Sequence, residues 1–153
     1  MDTYEINLDT LIIMYKNEST SVVYEKNNMY IINQNINSII DNSCKYFGST
    51  YKGRRDGSIN LLNISYKVPI IIEDSTQMIF FPTTSLKDKK CSWISLNNIL
   101  KYERNIRGSK IYFKDGNSII ISTSYGVLNN QILRSTRLQY LINKRKEEKS
   151  IKN

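Results

Sequence analysis

Alternation of apolar and polar positions in the first third of the chain predicts short β-strands. Residues 4–8 alternate strictly, and apolar runs follow at residues 11–15 and 21–32. The second run is interrupted by the polar residues 26–28, which is typical of two strands joined by a turn. The chain is therefore expected to open with a strand-rich meander.

A helical period replaces the alternation between Ile36 and Phe47, where apolar residues recur three and four positions apart. Gly48 follows and can adopt the left-handed conformation that commonly ends a helix. The pattern predicts one short helix over these residues. The Gly-rich residues 48–57 that come next are expected to form a loop.

Several later runs predict further strands. Residues 58–66, 69–73 and 77–81 are rich in β-forming residues, whereas residues 85–90 have the composition of a polar loop. Residues 91–103 begin with strand-like alternation, but their later half fits a helix as well as a strand.

Residues 110–122 contain two β-rich runs on either side of Asp115 and Gly116. An Asp-Gly pair is favoured in the type I′ turn of a hairpin, because both central residues need positive φ there. The sequence predicts a β-hairpin with that turn.

The last element, residues 127–149, is helical by its period. Its expected apolar face consists of Leu128, Ile132, Ser135, Leu138 and Ile142. At about 100° per residue, a neighbouring arc collects four cations, namely Arg134, Arg137, Lys144 and Arg145. Together these elements predict an α+β fold: a mainly antiparallel β-sheet with one short internal helix and a long C-terminal helix, in a single domain over residues 1–153.

The charge of the chain is unevenly distributed. The net charge is +8, and residues 101–153 carry 12 Lys or Arg against 4 Asp or Glu, whereas residues 1–40 carry 2 against 5. A strongly basic segment is the footprint expected of a polyanion binder, although a merely soluble basic protein remains an alternative. No acidic residue lies between Asp115 and Glu147, so i, i+4 pairing within the last helix cannot neutralise Arg134 or Arg137.

Composition gives no support for catalysis or metal binding. Histidine is absent, which removes the usual general base and the commonest metal ligand. Cys44 and Cys91 are far apart and form no CxxC motif. We therefore expect a non-enzymatic protein with no catalytic residues, cofactor or metal. No apolar run is long enough for a membrane helix, and the acidic first residues are unlike a signal peptide, so a cytoplasmic location is expected.

The stretch SCKYFGSTYKGRRDG, residues 43–57, carries four cations and three aromatic rings around three glycines. It fails as a phosphate-binding P-loop, because Arg54 and Arg55 follow Gly53 where Lys and then Ser or Thr are needed. Cations interleaved with aromatic rings suit nucleic-acid binding. A solvated loop whose aromatic side chains belong to the core is the alternative.

A series of motifs follows one another along residues 36–145. They are Ser43-Cys44-Lys45-Tyr46-Phe47-Gly48-Ser49-Thr50-Tyr51-x-Gly53-Arg54-x-x-Gly57, Pro69-Ile70, Phe81-Pro82-Thr83, Cys91-x-Trp93-Ile94-Ser95, Ser124-Tyr125, Asn130-Gln131 and Arg134. In these motifs the chain resembles the competence transcription factor ComK family of low-GC Gram-positive bacteria. The resemblance implies a transcriptional activator of DNA-uptake genes that binds paired A/T-rich boxes of double-stranded DNA through the minor groove, as dimers that assemble in pairs. It also implies a nucleoid-associated protein of the cytoplasm and, as a further partner, an adaptor of a cytoplasmic AAA+ protease.

Charge and position select the residues expected to contact DNA. Arg54 and Arg55 are candidates for insertion into the narrow, electronegative minor groove of A/T tracts. Candidates for phosphate contacts are Lys45, Lys52, Arg134, Arg137, Lys144 and Arg145, followed by Lys110 and Lys114 of the hairpin.

A second function fits the same charges. A β-rich module could bind anionic lipid, or an acidic protein partner, through the basic flank of its C-terminal helix.

Overall fold

The computed structural model describes residues 1–88 and 91–152, with side chains as far as residue 149. The last two residues of the predicted polar loop, Lys89 and Lys90, lie outside the described residues. In chain order the elements are β1 (Thr10–Asn17), β2 (Thr20–Glu25), β3 (Met29–Ile32), α1 (Ile36–Tyr46), α2 (Tyr51–Leu62), β4 (Ile70–Glu73), β5 (Met78–Pro82), β6 (Trp93–Ser95), a 3-10 turn (Leu96–Asn98), β7 (Ile99–Asn105), β8 (Gly108–Phe113), β9 (Ser118–Ile121) and α3 (Tyr125–Lys152). The predicted α+β class, the antiparallel sheet structure and the long C-terminal helix are confirmed.

The strands form two antiparallel sheets. Six of them pair in the order β3-β2-β1-β6-β5-β4, and β7-β8-β9 form a separate sheet. The central strands of the larger sheet are apolar on both sides. In β5, Met78 and Phe80 face one core, whereas Ile79 and Phe81 face the opposite side. Burial on both faces explains why these strands are continuous apolar runs in the sequence.

Helix α1 covers one face of the larger sheet. Asn35 caps it, because its side chain accepts a hydrogen bond from the Ser38 N–H at 2.8 Å. The helix buries Ile39, Ile40 and Cys44 in the same cluster as Trp93 of β6. This element confirms the helix predicted from the spacing of apolar residues.

The opposite face of the larger sheet is covered by the smaller sheet and α3. Phe113 of β8 and Leu128 of α3 pack in one cluster with Ile12 and Phe81. Farther along α3, Leu138 packs with the last turn of α2 and with β4 and β5. The two sheets and α3 therefore enclose a second core, and α3 is fixed along much of its length.

Residues 51–62 form helix α2, so the predicted Gly-rich loop and the predicted strand over residues 58–66 are both wrong. The Thr50 hydroxyl accepts from the Gly53 N–H at 2.9 Å, and the Asp41 carboxylate accepts from the Tyr51 N–H at 2.9 Å. Asn63, at φ 56°, ends the helix in the left-handed conformation. Glycine in a helix costs about 1 kcal/mol relative to alanine, and these caps, together with packing at both ends of α2, offset that cost.

Residues 4–8 form no strand, contrary to the alternation. Tyr4 and Ile6 are buried, but the Ile6 N–H donates to the Ser43 hydroxyl of α1 at 3.0 Å instead of to a neighbouring strand. The alternation therefore records burial under α1 and not sheet pairing.

The hairpin predicted over residues 110–122 is present as β8 and β9, but its turn is not type I′. Gly116 has φ +96°, whereas Asp115 is not among the residues with positive φ. The Gly116 N–H bonds to the Phe113 carbonyl at 3.1 Å, and the Phe113 N–H bonds to the Asn117 carbonyl at 2.8 Å. This pattern is typical of a longer hairpin loop in which one left-handed glycine forms a bulge.

Candidate nucleic-acid interface

Arg55 of α2 and Arg134 of α3 are held by the same short segment, residues 63–67, which is the first part of the connection between α2 and β4. The Arg55 guanidinium donates to the Ser65 carbonyl at 2.9 Å, and that of Arg134 donates to the Tyr66 carbonyl at 3.2 Å. These carbonyls belong to consecutive residues, so two cations that are 79 positions apart in the chain are anchored to the same segment.

Lys67 adds a third cation to this segment. Burial, and next the charge of Arg134, lower the pKa of Lys67 below its usual value. A neighbouring positive charge disfavours the protonated amine, so an anion bound here would relieve the repulsion between Lys67 and Arg134. The three cations Arg55, Lys67 and Arg134 are called the linker cluster below.

Gln131 fixes α3 against the linker cluster. Its amide nitrogen donates to the Lys67 carbonyl at 2.9 Å and to the Pro82 carbonyl at 2.7 Å, and its amide oxygen accepts from Arg134 at 3.1 Å. Gln131 is only 1% exposed, and its bond to the Pro82 carbonyl is buried, so that bond is shielded from water. This role of Gln131 was not predictable from the sequence, because a polar residue in a helix is usually solvated.

Arg54 differs from Arg55 in its surroundings. Both residues are partly buried, but the Nε atom of Arg54 is enclosed without a hydrogen-bond partner, whereas the Arg55 guanidinium donates to the Ser65 carbonyl. Burial raises the pKa of the Cys44 thiol to about 11, although the nearby charge of Arg54 acts in the opposite direction. The two adjacent arginines therefore occupy different environments, and only Arg55 belongs to the linker cluster.

The exposed face of α3 carries Arg137 and Lys144 together with apolar side chains. Leu133 and Tyr140 are each 58% exposed, and the Lys144 ammonium lies 5.9 Å from the centre of the Tyr140 ring. Arg145 lies in the same region and lines a shallow groove with Arg137 and Tyr140. This face combines positive charge with amphipathic surface.

Lys45 and Lys52 are exposed but have acidic partners. Lys45 pairs with Asp41 at 3.0 Å and Lys52 pairs with Asp56 at 2.8 Å, each four residues apart in a helix. The backbone N–H of Tyr51, and then Lys45, lower the pKa of Asp41. These two lysines therefore present less uncompensated charge than the arginines do. Within the described part of the chain, no ion pair involves an arginine.

The smaller sheet separates the two lysines predicted in the hairpin. Lys110 is half-buried, and its ammonium lies 4.9 Å from the centre of the Tyr112 ring. Lys114 is exposed at the opposite end of β8 from the turn that joins β7 to β8. The two residues therefore do not form one contact point.

Three further cations in β7 and its turn were missed by the sequence reasoning. They are Lys101, Arg104 and Arg107, all exposed. The Arg104 guanidinium lies 4.6 Å from the centre of the Tyr125 ring, which places β7 beside the first turn of α3. The density of cations between residues 101 and 107 was the available signal.

Helix α3 contacts both the linker cluster and the smaller sheet. Tyr102 of β7 donates to the Asn129 side chain at 2.6 Å, whereas Arg134 contacts the linker. At about 100° per residue, these two contact points are about 140° apart around the helix axis. The exposed face of α3 therefore lies between the linker cluster and the smaller sheet, and the three surfaces can contact one elongated polyanion.

The described residues offer no candidate for a metal site or a membrane-spanning helix. In that part of the chain, no three His, Cys, Asp or Glu side chains lie close enough together to hold a metal ion. The helices there also include none with the length and apolar character needed to cross a membrane.

Comparisons with known proteins assign the chain to a family. No solved structure matches it. A relative from Bacillus subtilis (strain 168), "Competence transcription factor", is 29% identical over 143 residues, which cover 91% of this chain and 74% of the relative. The family described as "ComK protein" matches residues 1–147. The chain therefore belongs to the ComK protein family.

Proposed function

We propose that this protein is a competence transcription factor that binds double-stranded DNA through the linker cluster and the exposed face of α3. The observation that carries the proposal is the convergence of Arg55 and Arg134 on consecutive carbonyls, beside Lys67 and without an acidic partner. The name of the Bacillus subtilis relative supports the same function.

We further propose that the protein reads A/T-rich DNA through the minor groove, as a dimer, in the nucleoid. A narrow A/T-tract groove concentrates negative potential, and arginine enters it at a lower desolvation cost than lysine. Arginines without ion-pair partners suit this mode, because insertion breaks no salt bridge. An AAA+ protease adaptor as a partner remains a prediction from the resemblance.

The experiment is a fluorescence anisotropy titration of the protein against an A/T-box duplex and a G/C-swapped duplex at two salt concentrations. Binding should favour the A/T duplex and should weaken steeply with salt, with a log-log slope near −0.9 for each neutralised phosphate. A slope near zero, or equal affinity for the two duplexes, would contradict the proposal.

Variants locate the interface. Arg55→Gln and Arg134→Gln remove charge but keep an N–H donor for the carbonyls of the linker. Each should weaken binding and reduce the preference for A/T DNA, whereas a Lys144→Gln, Arg145→Gln pair should weaken binding to all sequences alike. The matched control is Lys146→Gln, because Lys146 is on the same helix but pairs with Asp74 at 3.1 Å. An equal loss in the control would mean that only net charge matters.

The exposed apolar side chains beside the cations of α3 favour one alternative function, docking on an anionic membrane. Leu133 and Tyr140 could enter the headgroup region while Arg137 and Lys144 contact phosphates. Sedimentation with vesicles of phosphatidylglycerol and phosphatidylcholine separates the two functions. Strong vesicle binding, together with DNA binding that ignores sequence, would favour the membrane.

A further inference from the structure

The turn between β7 and β8 carries an apolar side chain at its tip. Asn105 pairs with Gly108 across the hairpin, which leaves Ile106 and Arg107 as the two turn residues. Ile106 is fully exposed, and no other large apolar side chain of the described residues is as exposed. Isoleucine is unusual in such a turn, where Gly, Asn and Asp prevail, and no packing within the chain explains it.

Contacts at the base of the turn between β7 and β8 fix the position of its tip. Ser109 is completely buried and its hydroxyl donates to the Thr123 carbonyl at 2.8 Å. Gly108, at φ +141°, lies so close to β9 that an added Cβ would be 2.3 Å from the Ile121 carbonyl oxygen. The Asn105 side chain accepts from the Arg107 N–H at 2.9 Å. The hairpin therefore presents its tip in a fixed position beside the start of α3.

Charge around the tip favours a nucleic acid over an apolar protein groove. Arg107 follows Ile106 directly and Arg104 lies two residues before it, whereas Lys101 and Lys110 lie farther down the two strands. The single acid of this hairpin, Glu103, accepts a hydrogen bond from the Tyr112 hydroxyl at 2.7 Å. An apolar tip between arginines has the composition of the wedges that enter the minor groove and partly unstack a base step.

We infer that Ile106 is such a wedge: it enters the minor groove of the bound duplex at a flexible step, while Arg104 and Arg107 contact the flanking phosphates. This inference rests on the proposed DNA-binding function and adds a second contact region to it. Pyrimidine–purine steps such as TA unstack most easily, so the wedge would favour A/T-rich sites that contain one. Such a wedge kinks the duplex towards its major groove. Arg134 lies nine residues after Tyr125, about 14 Å along α3, so the linker cluster lies at a distance from the tip.

The test uses an A/T-box duplex with 2-aminopurine in place of the adenine of a central TA step, and with a donor and an acceptor dye at its two ends. Wild-type protein should raise the 2-aminopurine fluorescence, because the probe brightens when unstacked, and should shorten the distance between the ends. Ile106→Ser should abolish both signals and weaken binding roughly tenfold. Its salt dependence should stay unchanged because the phosphate contacts remain.

Controls separate the wedge from general effects. Ile106→Leu should keep both signals. Leu100→Ser removes an apolar side chain that is 64% exposed on β7, the strand that leads to the turn, and it should leave both signals unaltered. Arg107→Gln should reduce the magnitude of the salt slope by about 0.9 while the fluorescence change persists. Because Ile106 makes no packing contact, the thermal midpoint of Ile106→Ser should equal that of the wild type.

The outcomes distinguish the wedge at Ile106 from the proposed DNA-binding function. Salt-dependent binding of wild-type protein to A/T DNA, with signals that Ile106→Ser does not change, would overturn the wedge and leave the proposed function standing. Equal losses in Leu100→Ser would also overturn the wedge. Wild-type protein that fails to bind any duplex would overturn both.

Discussion

Replacement of Gln131 by Leu tests whether one buried amide holds the linker cluster on α3. The side chain of Gln131 donates to two carbonyls, those of Lys67 and Pro82, and accepts from Arg134. Leucine has a similar size and keeps the helix propensity, but it can make none of these bonds. Steric change is therefore small, and the lost hydrogen bonds dominate the effect.

The magnitude follows from what the carbonyls lose. A buried acceptor left without a partner costs about 1–3 kcal/mol. Pro82 is buried, so its carbonyl bears most of that cost, whereas the carbonyl of the half-buried Lys67 can recruit water. The expected loss is roughly 2–4 kcal/mol in the free energy of unfolding. At about 2–4 °C for each kcal/mol in a chain of this size, Tm should fall by roughly 4 to 16 °C.

Urea unfolding followed by circular dichroism measures the free energy, and a thermal scan measures Tm. Asn130→Leu is the matched control, because Asn130 precedes Gln131 on the same helix and is exposed. It should change stability by less than about 0.5 kcal/mol. A loss below about 1 kcal/mol for Gln131→Leu, or an equal loss in the control, would refute the role assigned to this amide.

Three other predictions concern the framework around the interface. Gly108→Ala should lower the free energy of unfolding by roughly 3 kcal/mol or more, because φ is +141° and the new Cβ meets the β9 backbone. Gly126→Ala, in open space on α3, should raise it by about 0.5–1 kcal/mol. Thermal unfolding of both variants checks this, and similar shifts in Tm would contradict it. Hydrogen bonds from the side chains of residues 75–76 lower the pKa of Glu73 from 4.5 to about 2. The stability that Glu73 adds should thus be complete above pH 4.5 and disappear as pH falls towards 2. In acid titrations, the difference in free energy of unfolding between wild type and Glu73→Gln should shrink over that range. A constant difference would contradict this reasoning. The Cys44 thiol, with a pKa of about 11, should be about 0.1% thiolate at pH 8, so a thiol reagent should modify it much more slowly in the native protein than in urea; equal rates would count against its burial.

The elements that were predicted correctly are those in which one structural feature sets the spacing of the apolar residues. Helix α1 buries one face against one sheet, so Ile36, Ile39 and Ile40 recur at helical spacing. The strands from β1 to β5 are recognisable because runs of β-forming residues end at residues that favour turns. The division into two sheets was not predictable, because it depends on which strands pair over long distances in the chain.

Helix α2 was missed because its apolar residues serve two different cores. Tyr51 packs beside Trp93 on the α1 side of the larger sheet, whereas Leu62 packs with α3 on the other side. No single apolar stripe forms, and two glycines add a signal for a loop. Thr50 as an N-cap was visible in the sequence, but the partner that accepts from Tyr51, Asp41, is a tertiary contact.

The candidate site was predicted in composition but not in geometry. Arg55 and Arg134 were both selected by charge, yet only the linker of residues 63–67 brings them together. Strand β7 was ambiguous because it is an edge strand with an irregular register after Ile99, so its half-buried residues recur every three positions as in a helix. Ile106 escaped notice for a related reason, since a lone apolar residue in a polar stretch has no period.

The helical state of residues 51–62 alters how the proposed recognition would work. A flexible loop carrying Arg55 would have to be ordered on each binding event, at about 1–2 kcal/mol for each residue fixed. On α2 that ordering accompanies folding, and Gln131 and the linker fix α2 relative to α3. The spacing between the linker cluster and the hairpin tip is then a property of the free protein. In the proposed complex the DNA must adapt to that spacing, so sequences whose groove is narrow and whose steps unstack readily would bind best, even where no side chain reads a base edge.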